Sequence, residues 1–130
     1  MKMFRAAPVT EQLSAVAAFV ESELECASTP LRVLAQINVA VDEVFSNIVG
    51  HSGATETVIE CEAREGFVTL CFIDDGIPYD PTEQPEPDIT LCAEQRQIGG
   101  LGIYVLKKTM DEINYEYSGG RNRLTIIKTW

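Results

Sequence analysis

The stretch VDEVFSNIVGHS, residues 41–52, decides how this chain is read. Val41, Val44, Phe45, Ile48 and Val49 are apolar at helical spacing and call for a core. Between them stand Asp42, Glu43, Ser46 and Asn47. Glu43 and Asn47 are four apart, so their side chains lie one above the other on a helix. Asp42 and Ser46 extend the same polar stripe. Such a stripe on an amphipathic helix is ordinarily just its solvated face. The sharper alternative is a carboxylate and an amide oxygen aimed into a pocket. A hard cation such as Mg²⁺ accepts such oxygens together with phosphate oxygens of a substrate, and a carboxylate one turn away can act as a general base.

Working outward, the helix starts near Pro30, with Ser28 or Thr29 as its cap and Pro30 in its first turn. Gly50 and Gly53 end it. Upstream, FRAA reads as a short strand. Thr10 is the expected N-cap of EQLSAVAAFVESELECA, where Leu13, Ala17, Val20 and Leu24 recur at helical spacing. Downstream, TVIECEAR alternates Ile59, Cys61 and Ala63 against Glu60, Glu62 and Arg64, as a half-buried strand does. Glu65-Gly66 turns the chain into FVTLCFID, which is apolar on both faces and reads as a central strand.

DGIPYDPTEQPEPD carries Pro78, Pro81, Pro85 and Pro87, which exclude regular helix and central strand. Residues 78–99 are therefore expected as a long loop with one short helical turn at most. Loops of that length inside compact domains usually carry function or lack order. GGLGIYVLKKTMDE opens a further helix, and INYEYS and RLTIIKTW form two strands joined at Gly119-Gly120. The order of elements predicts an α+β two-layer sandwich, with a mixed, mostly antiparallel sheet and helices on one face. One domain over residues 1–130 is expected from the length.

Composition bounds the function. The formal net charge is −10, which disfavours nucleic acid and anionic membrane surfaces as partners. A small anionic ligand remains compatible, because helix N-termini and a few local cations bind phosphate even on an acidic protein. No run of apolar residues is long enough to span a bilayer, and the N-terminus lacks the apolar stretch of a signal peptide, so a cytoplasmic protein is expected. Cys26, Cys61, Cys71 and Cys92 show no C-x-x-C spacing and His51 is the only histidine. The cysteines read as thiols in a reducing compartment, not as a zinc site.

Two further segments carry possible chemistry. In IDDGIPYDP a strand ends at Asp74-Asp75-Gly76. Asp and Gly there normally make a turn. A carboxylate at a strand end that faces a cleft would instead accept a hydrogen bond from the exocyclic amine of adenine, with Gly76 letting the base approach the backbone. Gly99, Gly100 and Gly102 precede the last helix, where exposed N–H groups and the helix terminus favour phosphate. No G-K-[ST] closes this segment, so it is not a Walker A loop. Val105 stands where the dinucleotide fingerprint needs its third glycine.

The three segments in this order resemble the small anti-sigma-factor serine/threonine kinases, which share the Bergerat ATP-binding fold with gyrase, MutL and histidine kinases. The resemblance covers nearly the whole chain. VDEVFSNIVGHS is similar to the family's E-x-x-x-N box, followed by its frequent histidine, here His51. IDDGIPYDP is similar to the D-x-G segment and GGLGIYVLKKTMDEINYE to the third box. RNRLTIIK, with Asn122 and Leu124, resembles the closing strand. The resemblance implies Glu43 as catalytic base and Asn47 as Mg²⁺ ligand. It implies Asp74 rather than Asp75 at adenine, with Gly76 beside it, and Gly99, Gly100 and Gly102 at the phosphates. Residues 78–99 would be the ATP lid. It further implies ATP and Mg²⁺ as cofactors, phosphorylation of a small anti-anti-sigma antagonist of STAS type, and capture of a sigma factor or analogous regulator. A homodimer is compatible with it. The alternative from another class is a non-catalytic ATP/ADP switch that gates a protein partner.

Overall fold

The structure of the chain, a computed structural model, describes residues 1–83 and 100–130. Strands β1 (Lys2–Ala6), β2 (Thr57–Arg64), β3 (Phe67–Asp74), β4 (Glu112–Ser118) and β5 (Arg121–Thr129) form one sheet in the order β1-β2-β3-β5-β4. All four strand pairings are antiparallel, so the parallel component of the expected mixed sheet is absent among the described residues. Helices α1 (Leu13–Cys26), α2 (Leu31–Asn47) and α3 (Gly100–Thr109) supply the second layer. The result is the α+β sandwich that the element order predicts. No helix among the described residues is long and apolar enough to cross a membrane.

The core follows from the strand period of two. Val68, Leu70 and Phe72 of β3, Ile59 and Cys61 of β2, and Leu124 and Ile126 of β5 share one buried cluster with the helices. From α2, Val33, Ile37, Ala40, Val41, Val44 and Phe45 enter it. Residues of the other parity, such as Val58, Cys71 and Ile73, belong to a separate cluster. Phe45 is 1% exposed, and truncating so buried an aromatic costs about 3–5 kcal/mol. Both hairpin turns are set by glycine. Gly66 has φ 83°, and Gly119 and Gly120 have φ 61° and 77°, the pair of positive values that a two-residue turn matched to strand twist requires.

Three local expectations are corrected. Thr10 caps nothing: it begins a short 3₁₀ turn, Thr10–Gln12, whose flanking Val9 makes no side-chain cap bond. Ser28 and Thr29 close α1 and do not open α2. Ser28 has φ 57°; its N–H donates to the Glu25 carbonyl and the Thr29 N–H to that of Leu24. These are the paired bonds of a left-handed helix stop, and Pro30 is left at the cap of α2. Gly50 does not end the helix either. It lies inside a wider π-type turn, Ile48–Ser52, which ends at Gly53 with φ 64°.

Candidate functional site

Asp74 and Asp75 differ by one residue and face opposite sides of the sheet. Asp74 has the parity of Leu70 and Phe72, so its carboxylate turns toward the helix layer, where it is 4% exposed. Asp75 is exposed. It accepts hydrogen bonds from the Thr55 N–H at 2.8 Å, the Thr55 hydroxyl at 2.6 Å and the Glu56 N–H at 3.1 Å. Those Thr55 bonds first, then that of Glu56, hold its carboxyl down at about 2. Asp75 thus staples the turn before β2 to the end of β3.

Asp74 uses its Oδ1 oxygen within the protein. It accepts from the Gly76 N–H at 2.9 Å and from the Asn122 amide at 3.0 Å. Asn122 is the direct cross-strand partner of Asp74 on β5. Beside them a cavity opens between α2 and the sheet, lined by Asn47, Ile48, Phe72, Asp74, Tyr79 and Asn122 among others. Its walls are mostly apolar.

Gly76 meets a requirement within the protein itself. A Cβ on it would stand 2.3 Å from the Ser52 carbonyl oxygen. That close approach lets the Ile77 N–H donate to the same oxygen at 2.8 Å, tying the chain after β3 to the end of the π-type turn.

On α2, the polar stripe divides in two. Asp42 and Ser46 face solvent, with Ser46 donating weakly to Asp42 at 3.4 Å. Glu43 and Asn47 sit half-buried at the edge of the packed face, with the Asn47 Nδ2 3.4 Å from Glu43 Oε1. Burial raises the pKa of Glu43 above its ordinary value. The Asn47 bond opposes this, and the charge of Asp42 adds to it. Gly102 completes the arrangement: a Cβ there would lie 2.0 Å from Glu43 Oε2. Glycine lets the first turn of α3 lie against this carboxylate without moving the Glu43 side chain.

Gly100 begins α3, while Gly99 and most of the 78–99 loop lie outside the described residues. His51 stacks on Tyr79 with ring centroids 4.9 Å apart and planes at 12°. It therefore stands behind Tyr79, which lines the cavity. The exposed Lys107 of α3 donates to the Thr82 carbonyl at 2.7 Å. Sequence reasoning gave no role to Tyr79, Tyr115 or Asn122, although the Y-D-P and R-N-R-L segments hold two of them.

The model of the histidine kinase-like ATPase domain matches residues 6–128. The chain belongs to the histidine kinase-like ATPase family. This agrees with the resemblance carried by the three sequence boxes. The ATPase domain is 30% identical over 96 residues to the serine/threonine-protein kinase BtrW of Bordetella bronchiseptica, a match covering 69% of this chain and 66% of that protein. The chain thus spans just under two thirds of BtrW. It is also 28% identical over 118 residues to the anti-sigma F factor of Clostridium novyi, across 88% of this chain and 80% of that protein. The histidine kinase AdeS of Acinetobacter baumannii has the same fold, with a TM-score of 0.57 at 16% identity over 99% of this chain and 68% of AdeS.

The residues present suit ATP and Mg²⁺. A buried carboxylate with one oxygen engaged beside an apolar cavity suits an aminopurine. Among the described residues no three His, Cys, Asp or Glu side chains cluster as a metal cage. A thin donor set of one amide oxygen near one carboxylate suits Mg²⁺, which keeps waters and binds substrate phosphates.

Proposed function

We propose that this ATPase domain is a regulatory serine/threonine protein kinase that binds Mg²⁺-ATP between α2, α3 and the end of β3. In this reading Asp74 accepts the adenine amino group. The Asn47 oxygen holds Mg²⁺, and the N–H groups of Gly99, Gly100 and Gly102 meet the phosphates. Bound Mg²⁺ neutralises charge on the phosphates. The chain's own residues orient the nucleotide and exclude water. Glu43 is the base that takes the proton from the attacking hydroxyl, a role its burial suits because a raised pKa strengthens a carboxylate as a base.

One observation carries this reading: Asn47 of α2 and Asp74 of β3 line the same cavity, with Glu43 beside Asn47. BtrW, named a serine/threonine-protein kinase, and the anti-sigma F factors support transfer to a protein hydroxyl. The protein substrate is a small antagonist of STAS type and the competing partner a sigma factor or analogous regulator, in the cytoplasm. Residues 78–99 act as a lid that couples nucleotide to partner choice.

Incubation of the chain with γ-labelled ATP, Mg²⁺ and a STAS-type antagonist should place label on one serine or threonine of the antagonist. Nucleotide-dependent binding without label transfer to any antagonist tried would instead favour the non-catalytic switch.

A further inference from the structure

Asn122 stands on β5 in line with Leu124 and Ile126, both buried in the core. It is itself only 4% exposed. A buried amide is costly unless its polar atoms are paired, and here every one is used. Its Nδ2 donates to Asp74 Oδ1 at 3.0 Å and to the Ile77 carbonyl at 2.7 Å. Its Oδ1 accepts from the Tyr79 N–H at 3.0 Å and from the Tyr115 hydroxyl. Two donors and two acceptor sites exhaust the side chain. One arm holds the strand-end carboxylate; the others hold the first residues of the chain that leaves β3.

A leucine or valine would fill this position in a strand built only for packing. The amide instead ties together two things that the core does not need joined. Because Gly76 and Asn122 both occupy Oδ1, the second oxygen of Asp74 has a fixed direction. Because Ile77 and Tyr79 share that amide, displacing Asp74 displaces the root of the following loop.

We infer that Asn122, supported by Tyr115, is a positioning residue for recognition of a 6-aminopurine. It orients Asp74 so that its other oxygen meets the amino group, and it couples that carboxylate to the chain at Ile77 and Tyr79. This rests on the reading of Asp74 as the base-recognising carboxylate.

The test compares affinity for ADP with affinity for purine riboside diphosphate, which lacks only the 6-amino group, by calorimetry on the full chain. The wild type should prefer ADP by about tenfold or more, the size of one charged hydrogen bond. Asp74→Asn should abolish most of that preference. If it does not, the reading of Asp74 fails. Given that collapse, Asn122→Ala should also reduce the preference to within about threefold of unity, with less than additive further loss in the double variant. Loss of packing alone would weaken both ligands by one factor and leave their ratio unchanged. Tyr115→Phe keeps the ring and removes one donor, and should lower the ratio by about two- to threefold, the low end for one hydrogen bond. A wild-type ratio in folded Asn122→Ala overturns the inference. Should that variant not fold, a wild-type ratio in Tyr115→Phe does so.

Discussion

Around Asp74, the Asn122 amide, the Gly76 N–H and the Tyr79 N–H make a closed set of bonds between 2.7 and 3.0 Å. At Glu43, one contact of 3.4 Å joins the carboxylate to Asn47, and a side chain at position 102 would meet it. The first group is paired within the protein, as the proposed recognition of a base requires. The second group stores unfavourable electrostatics: a half-buried anion with a weak partner. In the proposed reading, selectivity belongs to the satisfied group around Asp74 and reactivity to the half-buried anion of Glu43. Stability is lost where a site needs a raised pKa.

The largest expected effect falls at Glu43. Glu43→Ala should lower phosphotransfer by about 10²–10⁴, the usual cost of a lost general base, while calorimetry finds nucleotide affinity nearly unchanged. A wild-type rate in single-turnover assays would return Glu43 to the solvated face of α2.

In the satisfied group, Asp74→Asn should weaken ADP and ATP alike, by about 10- to 100-fold, because an amide cannot serve as a pure acceptor. Asp75→Asn should leave affinity within about twofold, since its bonds run to Thr55 and Glu56. Its effect lies in stability. The folded carboxyl sits at about 2, below the ordinary 3.8, so its contribution is present above pH 3.8 and fades as pH falls toward 2. Denaturation of Asp75→Asn should therefore differ from wild type at neutral pH and converge with it in acid. Affinity that follows Asp75 and not Asp74 would reverse the assignment.

The smallest effect has the opposite sign. Burial raises the folded pKa of Glu43, so the folded state prefers the protonated carboxyl. That contribution is fully present below the unfolded value and is lost as pH rises through the folded one. Glu43→Gln should then melt above wild type at pH 7, with the gain closing as pH falls toward about 4. A lower melting temperature at pH 7 would mean that Glu43 is not strained.

Much of this was legible in the sequence, for identifiable reasons. The core face of α2 follows from the spacing of Val41, Val44, Phe45 and Ile48, and both hairpins follow from glycines. The choice between Asp74 and Asp75 is also a matter of parity along FVTLCFID, since Asp74 continues Leu70 and Phe72. The caps were not legible, because Ser28 and Thr29 suit the end of one helix as well as the start of the next. Gly76 and Gly102 were read for a ligand, whereas Ser52 and Glu43 set their immediate requirement. The Asn122 set was invisible for a stronger reason: it joins residues 43 to 48 positions apart, and no local pattern marks such a pairing.

The division between the two groups is tested most directly by calorimetric titration of ADP and ATP, with and without Mg²⁺, into wild type, Asp74→Asn and Asn47→Ala. Asp74→Asn should lose one common factor for both nucleotides, whether or not the cation is present. Asn47→Ala should bind as wild type does without Mg²⁺ and lose the gain that Mg²⁺ brings to ATP. A loss in Asn47→Ala that is equal with and without the cation, or a loss in Asp74→Asn that depends on it, would contradict the account.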